Sequence, residues 1–126
     1  MSSKEDVIFI EHIFESITAL EEFSKDLNKE RLMSDRLRQS AMIREIEVIG
    51  EAMKNISEKL KNKYTEIAWK KIIGTRDKMI HHYFGVDLHI VWNIVKKDIP
   101  ILKKQMKKIK KDFAENKFDS LIHSEG

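Results

Sequence analysis

The chain has no cysteine. That excludes a disulfide framework, thiolate chemistry and any zinc site built on sulfur. It has one proline and four glycines in 126 residues, so turn punctuation is missing over long stretches. Nothing in it matches a Gly-rich phosphate loop, a paired-carboxylate site or a histidine pattern with metal-ligand spacing. No apolar run is long enough to span a bilayer, and the N-terminal Met-Ser-Ser-Lys-Glu-Asp is polar rather than a signal peptide. The expectation is a soluble, cytoplasmic protein with no membrane partner. The length suits one domain over residues 1–126 with a single core.

Charge is plentiful in both signs and nets to only +3. Its distribution is uneven. Residues 1–30 carry eight acids against three lysines, and residues 96–111 carry eight lysines against one acid, Asp98. An acidic first helix and a basic last helix suit an anionic partner on one face, although a lysine-rich face is more often simply solvated.

Apolar residues recur at helical spacing nearly everywhere. A first helix is predicted from about Lys4 to Asn28, with the stripe Val7, Ile10, Phe14, Ile17, Leu20, Phe23 or Ser24, and Leu27. A polar bend, Asn28-Lys29-Glu30-Arg31, follows, and Ser34 or Asp35 caps the next helix. That second helix runs from about Asp35 to Asn62. Its seam, Met42, Ile46, Ile49, Met53, Ile56 and Leu60, alternates spacings of four and three. Gly50 lies within it and suggests a close helix approach, and Glu51 falls off the seam.

A third helix is predicted from about Thr65 or Trp69 to Phe84, ended by Gly85. Asp87 then caps a fourth, whose apolar positions run from Leu88 through Trp92, Val95, Ile99, Leu102, Met106 and Ile109 to Phe113. Their register passes Pro100 without a slip. One helix kinked near Pro100 is expected, or two nearly in line with Asp98 capping the second. Residues after about 115 are polar and read as a frayed end. The whole is an all-α bundle of four to five helices with short connections.

Almost all the side chains able to do chemistry lie in one stretch, Arg76-Asp77-Lys78-Met79-Ile80-His81-His82-Tyr83. On a helix, Arg76 and Tyr83 share a stripe, roughly 10 Å apart along the axis. Asp77 and His81 are four apart and can touch, so the carboxylate can orient the imidazole. Arg76 and His81 point about 140° apart, and converge on one ligand through their side chains or through a cleft between two chains. An arginine and a histidine without a carboxylate cluster suit metal-independent RNA cleavage. The histidine moves a proton at the ribose 2′-OH or at the leaving 5′-oxygen. The arginine holds the scissile phosphate. RNA carries its own nucleophile, so neither metal nor cofactor is called for. The same residues also fit the polar face of one more helix, where a terminal histidine is only a dipole partner. His12, His89 and His123 are isolated and read as structural or solvated.

The pattern Arg76, four residues, His81, one residue, Tyr83 resembles the signature of the HepT toxins, the HEPN-domain partners in HepT/MntA toxin–antitoxin systems. Gly50-Glu51-Ala52-Met53-Lys54-Asn55, Ile67-Ala68-Trp69-Lys70-Lys71-Ile72-Ile73-Gly74, and Tyr83-Phe84-Gly85-Val86-Asp87 followed by Trp92 are similar to that family in the same order. The resemblance implies a HEPN-type all-α fold, a homodimer or higher assembly with the motif at a subunit cleft, and ribonuclease activity. It makes Arg76 and His81 catalytic and Asp77 a supporting residue at a position often Asn in relatives. Tyr83 becomes the acceptor for adenylylation by an MntA-like nucleotidyltransferase antitoxin. His82 fills a variable position. A different class of reading remains beside it, a non-catalytic helical partner of a nucleotidyltransferase that uses the same face for nucleotide or protein binding.

Overall fold

The computed structural model describes the backbone of residues 4–81 and 87–124, and the side chains of residues 4–77 and 87–116. The described residues form an all-α bundle. Its long members are α1 (Lys4–Ser24), α3 (Arg36–Asn55), α5 (Trp69–His81) and a rod made of α6 (Leu88–Asn93), a π-helical turn (Ile94–Asp98) and α7 (Ile99–Ser124). Two short helices, α2 (Lys29–Ser34) and α4 (Glu58–Lys63), fill the connections. α3 is central: α1 packs along it on one side and α5 on another, while α7 lies against α1.

The core is the predicted stripe with small corrections. Ile10, Ile13, Ile17 and Leu20 of α1 meet Met42, Ile46, Ile49 and Met53 of α3, and Leu102, Met106 and Ile109 of α7 close over them. Each such side chain removed from water contributes about 1.5–3 kcal/mol. Val7, the first residue of the expected α1 stripe, is exposed. Its place in the buried row is taken by Asp6.

Two stretches here differ from the periodic reading, each for a local reason. α1 stops at Ser24, because Asp26 adopts φ 58° and turns the chain out of the helix. An aspartate tolerates that left-handed conformation better than most side chains. The expected polar bend is instead α2, started by Asn28, whose side chain accepts from the Arg31 N–H at 2.8 Å. Asp35 rather than Ser34 caps α3, accepting from the Arg38 N–H at 3.0 Å. That hydrogen bond, with the Arg38 guanidinium beside it, holds the Asp35 carboxyl below the usual carboxylate range.

The predicted second helix breaks at Ile56 and Ser57. Ser57 accepts from the Leu60 N–H at 3.2 Å and so starts α4. Its own N–H and hydroxyl donate to the two carboxylate oxygens of Asp6, at 2.8 and 2.7 Å. The Asp6 side chain thus sits buried at the end of α1 and fixes the break between α3 and α4. The α4–α5 connection is tied to α7 in the same way. The Tyr64 hydroxyl donates to Asp112 at 2.6 Å, Gln105 donates to the Glu66 carbonyl at 3.2 Å, and the Trp69 indole N–H donates to the Tyr64 carbonyl at 2.9 Å.

Near Pro100 the irregularity takes the form of a widened turn. The Ile99 N–H reaches back five residues to the Ile94 carbonyl. Proline has no N–H, and its ring crowds the carbonyl four residues earlier; the π-turn sits where that conflict falls. The rod stays helical through it. Asp98, the alternative cap, lies inside the turn and faces Lys71 at 3.7 Å.

The charge asymmetry is met in part within the chain. α7 lies beside α1, and Lys103 pairs with Glu21 at 2.9 Å and Lys110 with Glu11 at 3.0 Å. Lys108 faces Glu66 at 3.7 Å. These partly exposed pairs contribute little each, about 0–1 kcal/mol, but they orient α7. Lys104 and Lys107 have no carboxylate partner among the described residues and line a groove with Leu20, Ser24 and Pro100. No helix among the described residues is long and apolar enough to cross a membrane.

Two outcomes follow from the buried polar contacts. Asp6→Ala leaves the Ser57 donors without their acceptor and lowers stability by about 1–3 kcal/mol, read as a shift in the urea unfolding midpoint. Burial first, and the Asp112 hydrogen bond second, push the Tyr64 phenol above its ordinary value of 10.0. The unfolded chain therefore loses this proton before the folded one. The contribution is fully present below about pH 10 and is lost as pH rises through the folded value. Unfolding at stepwise higher alkaline pH should show that decline, and Tyr64→Phe should reduce its slope.

Candidate active site

The crossing of α3 and α5 is set by Gly50. A glycine inside a helix costs about 1 kcal/mol relative to alanine, so its presence calls for a packing reason. A side chain at this position would overlap the Arg76 Cβ and stand 2.8 Å from the Arg76 Cγ. The stem of Arg76 therefore lies directly on the α3 backbone. The guanidinium emerges beside the next residue, and its Nη2 pairs with Glu51 at 2.7 Å. Its Nη1 pairs with Asp77 at 2.9 Å. Nε is buried without a hydrogen-bond acceptor. Arg76 is 22% exposed, and both carboxylates are about half exposed, at 50% and 48%.

Arg76 forms part of the wall of a cavity of about 340 Å³ between α1, α3 and α5. One stripe of α3 supplies Arg44, Glu47, Val48, Glu51, Ala52 and Asn55, and α1 supplies Phe9 and His12. The volume is in the range that holds a small ligand. The lining mixes two arginines and two carboxylates with an apolar patch, which suits a ligand that is itself part charged and part flat. Among the described residues no three of His, Cys, Asp and Glu come together as a metal-binding group.

The predicted site residues fall as follows. Arg76 and Asp77 are brought together by their ion pair. The expected partner of Asp77 is His81, yet its Oδ1 is engaged by Arg76. His81 is the last residue of α5, roughly 7–8 Å along the axis from Arg76; its side chain lies outside the described residues. His82 and Tyr83 lie outside them as well. Glu51 is the residue that periodicity leaves without a role. The usable signal is its neighbour: a mid-helix glycine marks where another helix crosses, and an acid beside it stands at the rim of that crossing. His12, read as isolated, borders the same cavity, with its ring edge-on to Phe9 at 6.3 Å.

The family model for HepT-like ribonucleases matches residues 13–109, a span that includes α3, Gly50, Glu51, Arg76 and His81. The chain belongs to the HepT-like ribonuclease family. Its activity class is accordingly that of a ribonuclease.

Relatives agree with this placement. The chain is 44% identical over 114 residues to a protein of Methanocaldococcus jannaschii named "Gamma-glutamylcyclotransferase and putative RNase"; the match covers 90% of this chain and 51% of that protein. The chain thus spans about half the length of that relative. It is 44% identical over 103 residues to the "Probable ribonuclease HepT" of Thermococcus cleftensis, covering 82% of this chain and 94% of the relative. A protein of Caldanaerobacter subterraneus subsp. tengcongensis with an RNase name is 41% identical over 101 residues, 80% of this chain and 90% of its own length. No solved structure matches significantly.

The crossing makes a sharp expectation for this HepT-like chain. Gly50→Ala forces α5 off α3 at Arg76 and costs about 1–3 kcal/mol by overpacking, measured by thermal or chemical unfolding. Gly74→Ala, where an added Cβ meets nothing within 4 Å, should leave the packing undisturbed in the same assay.

Proposed function

We propose that this chain is the toxin of a toxin–antitoxin pair, an endoribonuclease that needs no metal. Arg76 holds the scissile phosphate. The ribose 2′-oxygen attacks phosphorus, the bond from phosphorus to the 5′-oxygen breaks, and a cyclic phosphate remains on the upstream fragment. One proton leaves the 2′-OH and one arrives at the 5′-oxygen. His81 carries one of these transfers, and His81 of a second copy supplies the other in a homodimer. Asp77, four residues before His81 on the same helix, supports the imidazole's orientation.

The observation that supports this reading best is the placement of Arg76. Its stem is clamped over Gly50, its guanidinium is held by Glu51 at the edge of a ligand-sized cavity, and His81 follows on the same helix. A fixed guanidinium stabilises developing phosphorane charge without reorganisation cost. Lys104 and Lys107, which have no carboxylate partner among the described residues, add non-specific attraction for a polyanion. Tyr83 is the point of control. Transfer of AMP from ATP to its hydroxyl by an MntA-like nucleotidyltransferase, with pyrophosphate leaving, adds a bulky anion two residues beyond His81, which competes with RNA phosphate for Arg76.

Unmodified protein should cleave a short fluorogenic RNA and leave a cyclic phosphate detectable by mass. His81→Ala should lower the rate about 10²–10⁴-fold, and Arg76→Ala about 10²–10³-fold. Incubation with the nucleotidyltransferase and ATP should add one adenylyl group and silence cleavage, and Tyr83→Phe should escape both. Intact RNA beside tight nucleotide binding would point to the non-catalytic partner instead.

A further inference from the structure

Arg76 faces two carboxylates, and they are not equivalent. Bidentate recognition of a phosphate uses two neighbouring nitrogens of the guanidinium. Nε is buried, so the outward edge is the pair Nη1 and Nη2. Glu51 touches Nη2 and Asp77 touches Nη1. A phosphate arriving at that edge meets the negative charge of both carboxylates.

Glu51 is the anchored one. It comes from a different helix, and the backbone beneath it is pinned by the Gly50–Arg76 contact. Its carboxylate uses Oε2 for Arg76, while Asn55, one turn on, donates to the Glu51 carbonyl at 2.8 Å and approaches Oε1 at 3.4 Å. Nη1 and Nη2 each carry two hydrogens, so Glu51 can stay in place while Nη2 also donates to a phosphate oxygen. Asp77 has no such support among the described residues. It is next to Arg76 in sequence, and adjacent helix residues point about 100° apart, so their contact wraps sideways around the helix. Among the described residues its carboxylate contacts Arg76 alone, with no counterpart of Asn55 beside it.

Taking Arg76 as the phosphate-binding residue, we infer a division of labour between the two acids. Glu51 is a positioning residue that aims the guanidinium, and Asp77 is an exchangeable occupant of Nη1 that the RNA phosphate displaces. Once displaced, Asp77 is free to turn toward His81, one helical turn on. Substrate binding is therefore weakened by Asp77 and catalysis is strengthened by Glu51, although both make the same kind of ion pair at rest.

Steady-state cleavage of one short fluorogenic RNA by wild type, Glu51→Gln, Asp77→Asn and Arg76→Ala, with a thermal melt of each, separates the two roles. Glu51→Gln should lower kcat about 10- to 100-fold, as a misaimed catalytic group does, with a smaller change in KM and an unfolding midpoint near that of wild type. Asp77→Asn should lower KM several-fold. Glu51→Asp, which restores the charge on a shorter stem, should recover part of the lost kcat. Unchanged kcat in Glu51→Gln, a loss that only tracks its melting, or a raised KM in Asp77→Asn overturns the inference while wild-type cleavage and an inactive Arg76→Ala leave the ribonuclease reading standing. Intact RNA with wild type, or full activity in Arg76→Ala, overturns that reading and this inference with it.

Discussion

The contact between the Gly50 backbone and the stem of Arg76 is the constraint on which the rest of the site depends. Two helices approach this closely only where one of them has no side chain. The close approach places a cation from α5 against an acid of α3, and it leaves the buried edge of the guanidinium turned inward. What remains outward is a short, defined edge of two nitrogens. The cavity beside it is built from the same α3 stripe that continues past Glu51 to Arg44 and Asn55. Packing and chemistry thus share one helix face.

The bundle around this crossing is held by a few buried polar contacts at the places where the helices break. Asp6 secures the α3–α4 break through Ser57, and Asp112 secures the α4–α5 turn through Tyr64. Both anchors come from helices distant in sequence. They fix the two ends of α4, the segment that leads into α5. The opposing charges of α1 and α7 pair along their shared side and add orientation rather than much stability.

Much of the fold was legible in the residues alone. The apolar spacing of α1, α3 and α7 identified their buried faces, because a side chain's direction on a helix follows from its position in the repeat. Asp87 as a cap, Asp35 as a cap and Gly50 as a close approach were readable for the same local reasons. The short helices α2 and α4 were not. A stretch of six residues is too brief to show a period, and α4 starts where it does because Asp6, fifty-one residues earlier, accepts from Ser57. The π-turn before Pro100 is likewise a compromise between a local conflict and a buried register that continues on both sides.

For the site, residue chemistry and family resemblance together singled out Arg76, Asp77, His81 and Tyr83, and the match to HepT-like ribonucleases supports the activity class. Spacing along one helix can say which side chains share a stripe. It cannot say what stands across from them. That Arg76 meets Glu51 and that His12 and Arg44 border the same cavity are consequences of how α1, α3 and α5 pack. The sequence by itself determined an all-α chain with its candidate reactive groups gathered in one short stretch, since periodicity and side-chain chemistry are local properties. Only the tertiary structure decided which charges face each other, because an ion pair between helices depends on their distance and crossing, and Gly50 sets both.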